Sequence, residues 1–406
     1  MEYGHFDDEA REYVITNPVT PRPWINYLGN RRLSAFISQN AGGLAWYLDP
    51  QTRRITRYRY IAPPGDRPGF YVYIKDRATG VVWNPHFAPT CTELDSFECR
   101  HAPGVTRFLA EKDGIRAALT YTIAADDVML LRVSIANASE RTADLQAVSY
   151  IEFGLLEFMR EIIGWCYLKH HIGFNYDEAS RSIRYDYHAF EAVHQPRMAF
   201  GCTVEPAGFE CSRDVFIGPT GSLEHPAALG RDAGLSDSEL PLGGHGCGTI
   251  GVDVHLAPGQ SADFAYVFAI AETWEQTDAL LAKYSDAAVV DAAVDAVRTA
   301  WEDRLCILQA ETGDARVDRF INTWSPYNAA ITLEHARIIS TDHMGLDGLR
   351  YRDTTQDAHA GANIDPAFAA ERMRQVFEQQ KQDGGGCFSF FPYNNEPAHD
   401  LSLIHI

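Results

Sequence analysis

Between positions 349 and 357 the chain reads Leu349-Arg350-Tyr351-Arg352-Asp353-Thr354-Thr355-Gln356-Asp357, which places two arginines and two carboxylates within eight residues. On a helix, Asp353 and Asp357 stand at i and i+4 on one face, where like charges cost roughly a few tenths of a kcal/mol unless something compensates. Arg352 and Gln356 form the neighbouring row. Carboxylates beside a guanidinium and an amide offer directional acceptors and donors in a fixed plane, which suits the hydroxyls of a sugar. Spacing alone favours a plainer account, an exposed ion-pair cluster at a helix start, and such clusters contribute little.

The elements around this stretch read as helices. Positions 273–284 and 285–308 are rich in Ala and Leu, with Ser285 as N-cap of the second, and Val290, Val294, Val297 and Trp301 recur on one face of a 3.6-residue period. A third helix over 314–330 is expected to carry Val317, Phe320, Ile321 and Trp324 on one stripe. A fourth opens at Asp365-Pro366, a cap followed by proline at the first helical position, and runs to about 382. Helical hairpins with charge held between them suggest the start of a helical barrel.

The N-terminal two thirds speak a different language. Residues 1–110 are rich in aromatics, Pro and Gly, and 70–74 alternate as a strand does. Positions 18–29 contain Pro21 and Pro23 and read as an aromatic-anchored loop. Gly42-Gly43 ahead of 44–47 marks a turn or a close backbone approach followed by a strand. The runs 115–123 and 129–136, joined by 124–127, make a hairpin, and 147–153, 248–256 and 262–269 add further strands. Many short strands with turn signals mean an antiparallel sandwich. The fold class expected is therefore multidomain β plus α: a β-sandwich over 1–272, a helical linker over 273–313, and the beginning of a helical barrel over 314–400.

Composition narrows the partners. With 406 residues, 46% apolar and 22% charged, the chain can bury a core. Its net charge of −20 argues against a nucleic-acid backbone or an anionic membrane, both of which reward basic patches. The first residues are acidic and lack an apolar segment, so no signal peptide is expected, and no apolar run reaches the roughly 18 residues of a membrane span. Eight cysteines are scattered without a Cys-x-x-Cys pair, as expected of reduced cytoplasmic thiols without metal. His170-His171 on a strand would face opposite sides and would need two further ligands, so no metal is assigned. Gly243-Gly244-His245-Gly246-Cys247-Gly248 precedes a strand, not a helix, and reads as a sandwich turn instead of a phosphate loop.

The runs Tyr3-Gly4-His5-Phe6-Asp7-Asp8, Arg11-Glu12-Tyr13-Val14-Ile15-Thr16, Pro23-Trp24-Ile25-Asn26-Tyr27-Leu28-Gly29 and Ala41-Gly42-Gly43 resemble glycoside hydrolase family 94, which includes cellobiose and N,N'-diacetylchitobiose phosphorylases. Tyr351-Arg352-Asp353-Thr354-Thr355-Gln356-Asp357 resembles that family's sugar-binding motif near the start of an (α/α)6 barrel. The resemblance implies a hexosyl-transferring phosphorylase that cleaves a β-glucoside or β-N-acetylglucosaminide with inorganic phosphate as cosubstrate and no other cofactor. The product is an α-sugar 1-phosphate, formed with inversion. It implies that Arg352 and Asp357 hold hydroxyls of the sugar whose anomeric carbon reacts, with Asp353, Gln356 and Arg350 as further substrate-binding residues. It also implies a homodimer and sandwich loops, with Trp24, Asn26 and Tyr27 among their residues, that approach the barrel mouth; the cytoplasmic expectation rests on the thiols and the acidic N-terminus alone.

Two departures accompany the resemblance. The family's general acid, an Asp in a later motif of the Trp-Asn-Asp type, is not among these residues, so no catalytic residue is assigned and the chain is expected to be an inactive N-terminal fragment. Many members carry Gly-Gly-Arg just before Tyr-Arg-Asp, with its arginine toward phosphate. Here His343-Met344-Gly345-Leu346-Asp347-Gly348-Leu349-Arg350 stands instead, which leaves open whether Arg350 takes that place. Residues 401–406 read as a sequencing adapter translated in frame, and the Cys387-Phe388-Ser389-Phe390-Phe391 run is expected to lack its barrel partners. Alternatives from other classes are a carbohydrate-binding sandwich without catalysis and an inverting hydrolase on the same scaffold, which needs a second carboxylate to activate water.

Overall fold

The computed structural model describes residues 2–50, 53–58, 66–156, 172–187, 196–335, 348–391 and 396–399. His170, His171, 343–347 and 401–406 lie outside the described residues. The chain divides into two compact units, one formed by 1–45, 55–155 and 159–297, the other by 46–54, 156–158 and 298–406.

The first unit is built on two antiparallel sheets. The ten-stranded sheet runs, in spatial order, Gly4–Asp7, Glu12–Ile15, Ser96–Ala102, Val105–Lys112, Ile115–Ile123, Val128–Asn137, Ser261–Ala271, Arg197–Cys202, Ser182–Tyr187 and Ile172–Asp177. The second sheet centres on Ala143–Leu156, flanked by Gly246–Leu256 and by Phe70–Asp76. The expected hairpin is present, with Ile115 opposite Asn137 and Ile123 opposite Met129. Strict alternation buries Ala117, Leu119 and Tyr121 on one face while Arg116 stays exposed on the other.

Tyrosines tie the sheets together. Tyr121 donates its hydroxyl to Phe70 O at 2.7 Å, Tyr185 to Gly154 O at 2.6 Å and Tyr266 to Ala147 O at 3.1 Å. A buried phenol needs such a partner, because an unpaired one carries a desolvation penalty. The rings themselves bury large apolar area in the space between the sheets.

Gly42 and Gly43 mark a close approach, as expected. A Cβ at Gly42 would stand 2.1 Å from Asp66 O, and one at Gly43 would stand 2.0 Å from Phe36 O. The loop expectation for 18–29 needs correction at its end, since Ile25–Gly29 is a strand paired with Leu33–Ser38. The constraint of Pro21 and Pro23 ends at Trp24, and Asn26 then anchors the strand by donating to Ala102 O at 2.7 Å and Val105 O at 3.0 Å.

The helices begin at Trp274–Lys283, whose N-cap Thr273 forms a reciprocal capping box with Gln276. The next helix is Ala287–Leu305. Its start is set by Asp286, which accepts the Ala288 N–H at 2.8 Å, and not by Ser285, whose hydroxyl turns back to Ala282 O.

The expected stripe over 314–330 does not form. After Ala315–Arg319 the backbone widens into a π-helical stretch, Phe320–Trp324, before the helix Ser325–His335. Val317 is left 42% exposed and Phe320 60%, while Tyr327, Ala330, Ile331 and Leu333 are buried. A π turn inserts one residue into the hydrogen-bonded loop and so rotates the face that follows. The helices Tyr351–Gly361 and Pro366–Glu378 follow, the latter capped by Asp365 with Pro366 in its first turn.

Candidate functional site

A three-stranded sheet fixes the start of the motif helix. Leu349–Arg350 pairs with Ser389–Phe391, which pairs in turn with Glu396–His399. Leu349, Val376, Cys387 and Phe390 form a small core with Tyr351 against it. Cys387 and Phe390 therefore have partners, contrary to the expectation that this run is orphaned.

Two glycines permit the close packing. Gly348 sits at φ +61° with a hypothetical Cβ 2.4 Å from Phe390 O, and a Cβ at Gly386 would meet the Tyr351 ring at 2.8 Å. The Tyr351 N–H donates to Phe388 O at 3.3 Å. The helix Tyr351–Gly361 then leaves the strand directly, with Arg350 as an N-cap that makes no side-chain cap bond.

Asp353 and Asp357 lie one turn apart and are each 5% exposed. Thr354 and Ala358 share their buried face, while Arg352 and Gln356 are exposed. Asp353 falls in the first helical turn, where the helix dipole favours negative charge. Arg352 closes on it, with Nη2 and Nε at 3.0 and 3.3 Å from Asp353 Oδ1.

The cluster thus has its carboxylates buried and only its cation and amide in solvent, unlike a surface ion-pair cluster. Arg352 and Asp353 are brought together, Asp357 follows on the inner face, and Gln356 flanks Arg352. Arg350 stands apart on the strand with its guanidinium 5.1 Å from the Phe388 ring centroid.

The motif helix is held between its neighbours by Leu333, Ala358, Phe368, Ala369 and Met373. A polar set absent from the sequence reading braces the same helices. Arg304 bridges Glu334 at 3.1 Å and Asp365 at 3.3 Å, and Arg372 donates to Glu334 O at 3.3 Å while lying 4.7 Å over the Phe368 ring.

His335 meets Trp46 edge to face at 5.3 Å. Burial, reinforced by the Arg372 cation, pulls the imidazole down to about 3, so it is neutral at ordinary pH. None of these residues stands in a motif, and their only signal is charge on otherwise apolar helix faces. Among the described residues no group of three or more His, Cys, Asp or Glu is placed to hold a metal ion, and no helix is long and apolar enough to cross a membrane.

Residues 11–287 match the glycosyl hydrolase 94 supersandwich domain, and residues 300–404 match the glycosyl hydrolase 94 superfamily catalytic domain. The chain is 31% identical over 396 residues to an N,N'-diacetylchitobiose phosphorylase of Vibrio proteolyticus, covering 97% of this chain and 49% of the relative. It is 27% identical over 406 residues to a solabiose phosphorylase of Paenibacillus borealis, covering 94% and 48%.

In structure it resembles a bacterial glucoamylase crystallised with acarbose, with a TM-score of 0.56 at 8% identity over 95% of this chain and 56% of that one, a likeness of fold alone. The chain spans about half the length of the curated relatives it matches. With both its sandwich and its helical segment matched, the chain belongs to the glycosyl hydrolase 94 family.

Proposed function

We propose that this chain serves an inverting disaccharide phosphorylase and supplies part of the subsite for the sugar whose anomeric carbon reacts. One observation carries the reading. Asp353 and Asp357 are buried one turn apart at the start of a helix, with the Arg352 guanidinium fixed on the first. Buried carboxylates retain their charge where donors reach them, and sugar hydroxyls are such donors. Arg352 presents further N–H groups to hydroxyl oxygens, and Gln356 both a donor and an acceptor. The phosphorylase relatives support the chemical class.

In the reaction proposed, a carboxylic acid protonates the leaving glycosidic oxygen as the bond from that oxygen to the anomeric carbon breaks. A phosphate oxygen forms the new bond from the opposite face, so the β-linked donor yields an α-sugar 1-phosphate and no base is needed to activate water. The donor is a β-glucoside or a β-N-acetylglucosaminide. The proton donor belongs to a motif these 406 residues do not contain. Residues 1–406 are therefore proposed to bind sugar without turning it over, and the working enzyme to be a cytoplasmic homodimer.

Calorimetric titration of the chain with cellobiose and with N,N'-diacetylchitobiose tests the reading. Binding of either that is lost in Arg352→Ala and Asp357→Asn supports it. Binding unchanged by both substitutions, or no binding at all, removes it.

A further inference from the structure

We propose that Arg304, which lies outside the motif, is a positioning residue that fixes the spacing of the two helices against which the sugar-binding helix packs. The inference rests on the sugar-binding reading above and gives a role to a residue that no sequence pattern marks.

The motif helix Tyr351–Gly361 packs against both Ser325–His335 and Pro366–Glu378, through Leu333, Ala358, Phe368 and Ala369. The fit has no slack. Gly361 continues the row of Asp353 and Asp357 by one more turn, and a Cβ there would stand 2.5 Å from the Leu333 side chain. A shift of either neighbour must carry the motif helix and its carboxylates along or open a void.

Arg304 joins those two neighbours to each other. Its Nη1 lies 3.1 Å from Glu334 of the first helix, and its Nη2 3.3 Å from Asp365 at the start of the second. Asp365 also accepts the Phe368 N–H at 3.1 Å, so the bridge ends on the cap that fixes where that helix begins. The guanidinium is seated 4.9 Å from the Trp301 ring, and Trp301 in turn meets Tyr327 of the first helix edge to face at 5.2 Å. Glu334 is buried, so water screens this bridge less than it does a surface pair. A planar fork reaches two carboxylates at once, which a lysine point charge does not.

Carboxylates held in place beforehand lose less freedom when sugar hydroxyls dock on them. Arg304 touches no substrate in this account and works through Glu334 and Asp365 on the helix between them.

The test is calorimetric affinity of the 406-residue chain for cellobiose and N,N'-diacetylchitobiose, at a temperature where thermal unfolding shows every variant folded. Arg304→Ala is expected to weaken binding about 3- to 10-fold, and Arg304→Lys to recover part of the loss. Glu334→Gln and Asp365→Asn each remove one arm of the bridge, and asparagine keeps the helix cap. With both arms removed, Arg304→Ala is expected to cause no further loss.

Should Arg304→Ala fail to fold, the paired Glu334→Gln and Asp365→Asn substitutions keep side-chain volume and carry the same expected loss. Affinity unchanged in the folded variants, whatever their melting temperature, or a further loss on removing Arg304 after both arms are gone, overturns the assignment and leaves the sugar-binding reading in place. No binding by the unsubstituted chain overturns both.

Discussion

Arg352 and Asp353 are adjacent in sequence yet differ sharply in exposure: the guanidinium side chain is 60% exposed and the carboxylate 7%. The pair is a lid of charge on a buried acceptor. On the sugar-binding reading proposed above, a hydroxyl approaching Asp353 would meet Arg352 first, and the arginine would contribute donors of its own. Arg352→Lys keeps the charge and loses the fork of N–H groups. Sugar affinity is expected to fall about 10-fold with little change in melting temperature, measured by titration and thermal unfolding in parallel.

Asp357 is the stronger test of the inner face. Asp357→Asn removes charge at nearly constant volume, and binding is expected to weaken on the order of 10- to 100-fold, the scale of hydrogen bonds to a charged group. Thermal unfolding should move less than affinity does, because the amide keeps the volume and the helical position of the carboxylate. A large drop in stability with unchanged affinity would make Asp357 a structural residue.

How much of this was legible in the sequence depends on how local each determinant is. The 115–137 hairpin follows from period-two alternation and a short polar connection, both contained within one stretch of chain. The i, i+4 relation of Asp353 and Asp357 is equally local, and so is the Asp365-Pro366 helix start. A stripe through Val317, Phe320, Ile321 and Trp324 assumes one 3.6-residue period, and the π-helical stretch that begins at Phe320 changes that period midway. The bracing of Glu334 by Arg304 and Arg372, and the seat of Arg350 on Phe388, join residues about 30 to 40 positions apart. No periodicity encodes such pairs, and they emerge only when helices and strands pack.

Glu12 shows the same point within the sandwich. Its side chain is fully buried and receives Arg107 Nη2 at 2.8 Å and Arg100 Nη1 at 3.2 Å from neighbouring strands. Glu12→Leu would leave two partly buried guanidinium groups facing an apolar side chain. A loss of about 2–4 kcal/mol in denaturant unfolding is expected, at the lower end because both arginines are partly in water.

Gly42 should tolerate nothing larger. Alanine there would place its Cβ 2.1 Å from Asp66 O and 2.6 Å from Asp66 Cγ, and Asp66 is itself buried and bonded to the Ser38 hydroxyl at 2.5 Å. Backbone must move to relieve the first contact. Gly42→Ala is expected to destabilise the sandwich by roughly 1–3 kcal/mol in chemical unfolding, while Gly259→Ala, with open space around it, shows only the cost of its positive φ.

Among the described residues, three buried histidines contribute to how the fold responds to acid. His86 accepts the Val72 N–H at Nε2 and faces Ala88 O at Nδ1, and burial lowers its pKa to about 3. A second proton would have to enter at Nε2, against an N–H donor. Burial likewise lowers His101 to about 4 and His335 to about 3. Each folded pKa is below the unfolded value near 6.5, so the unfolded chain takes up these protons first. The stabilisation they represent is complete above about pH 6.5 and is lost as pH falls toward 4, with each group contributing roughly 1.4 kcal/mol per pH unit in that window. Urea unfolding at pH 7.5 and pH 5 should therefore differ by about 2 kcal/mol per histidine. His86→Gln should flatten the slope by close to one proton. A slope unchanged in that variant would mean that His86 already carries its proton in the folded protein.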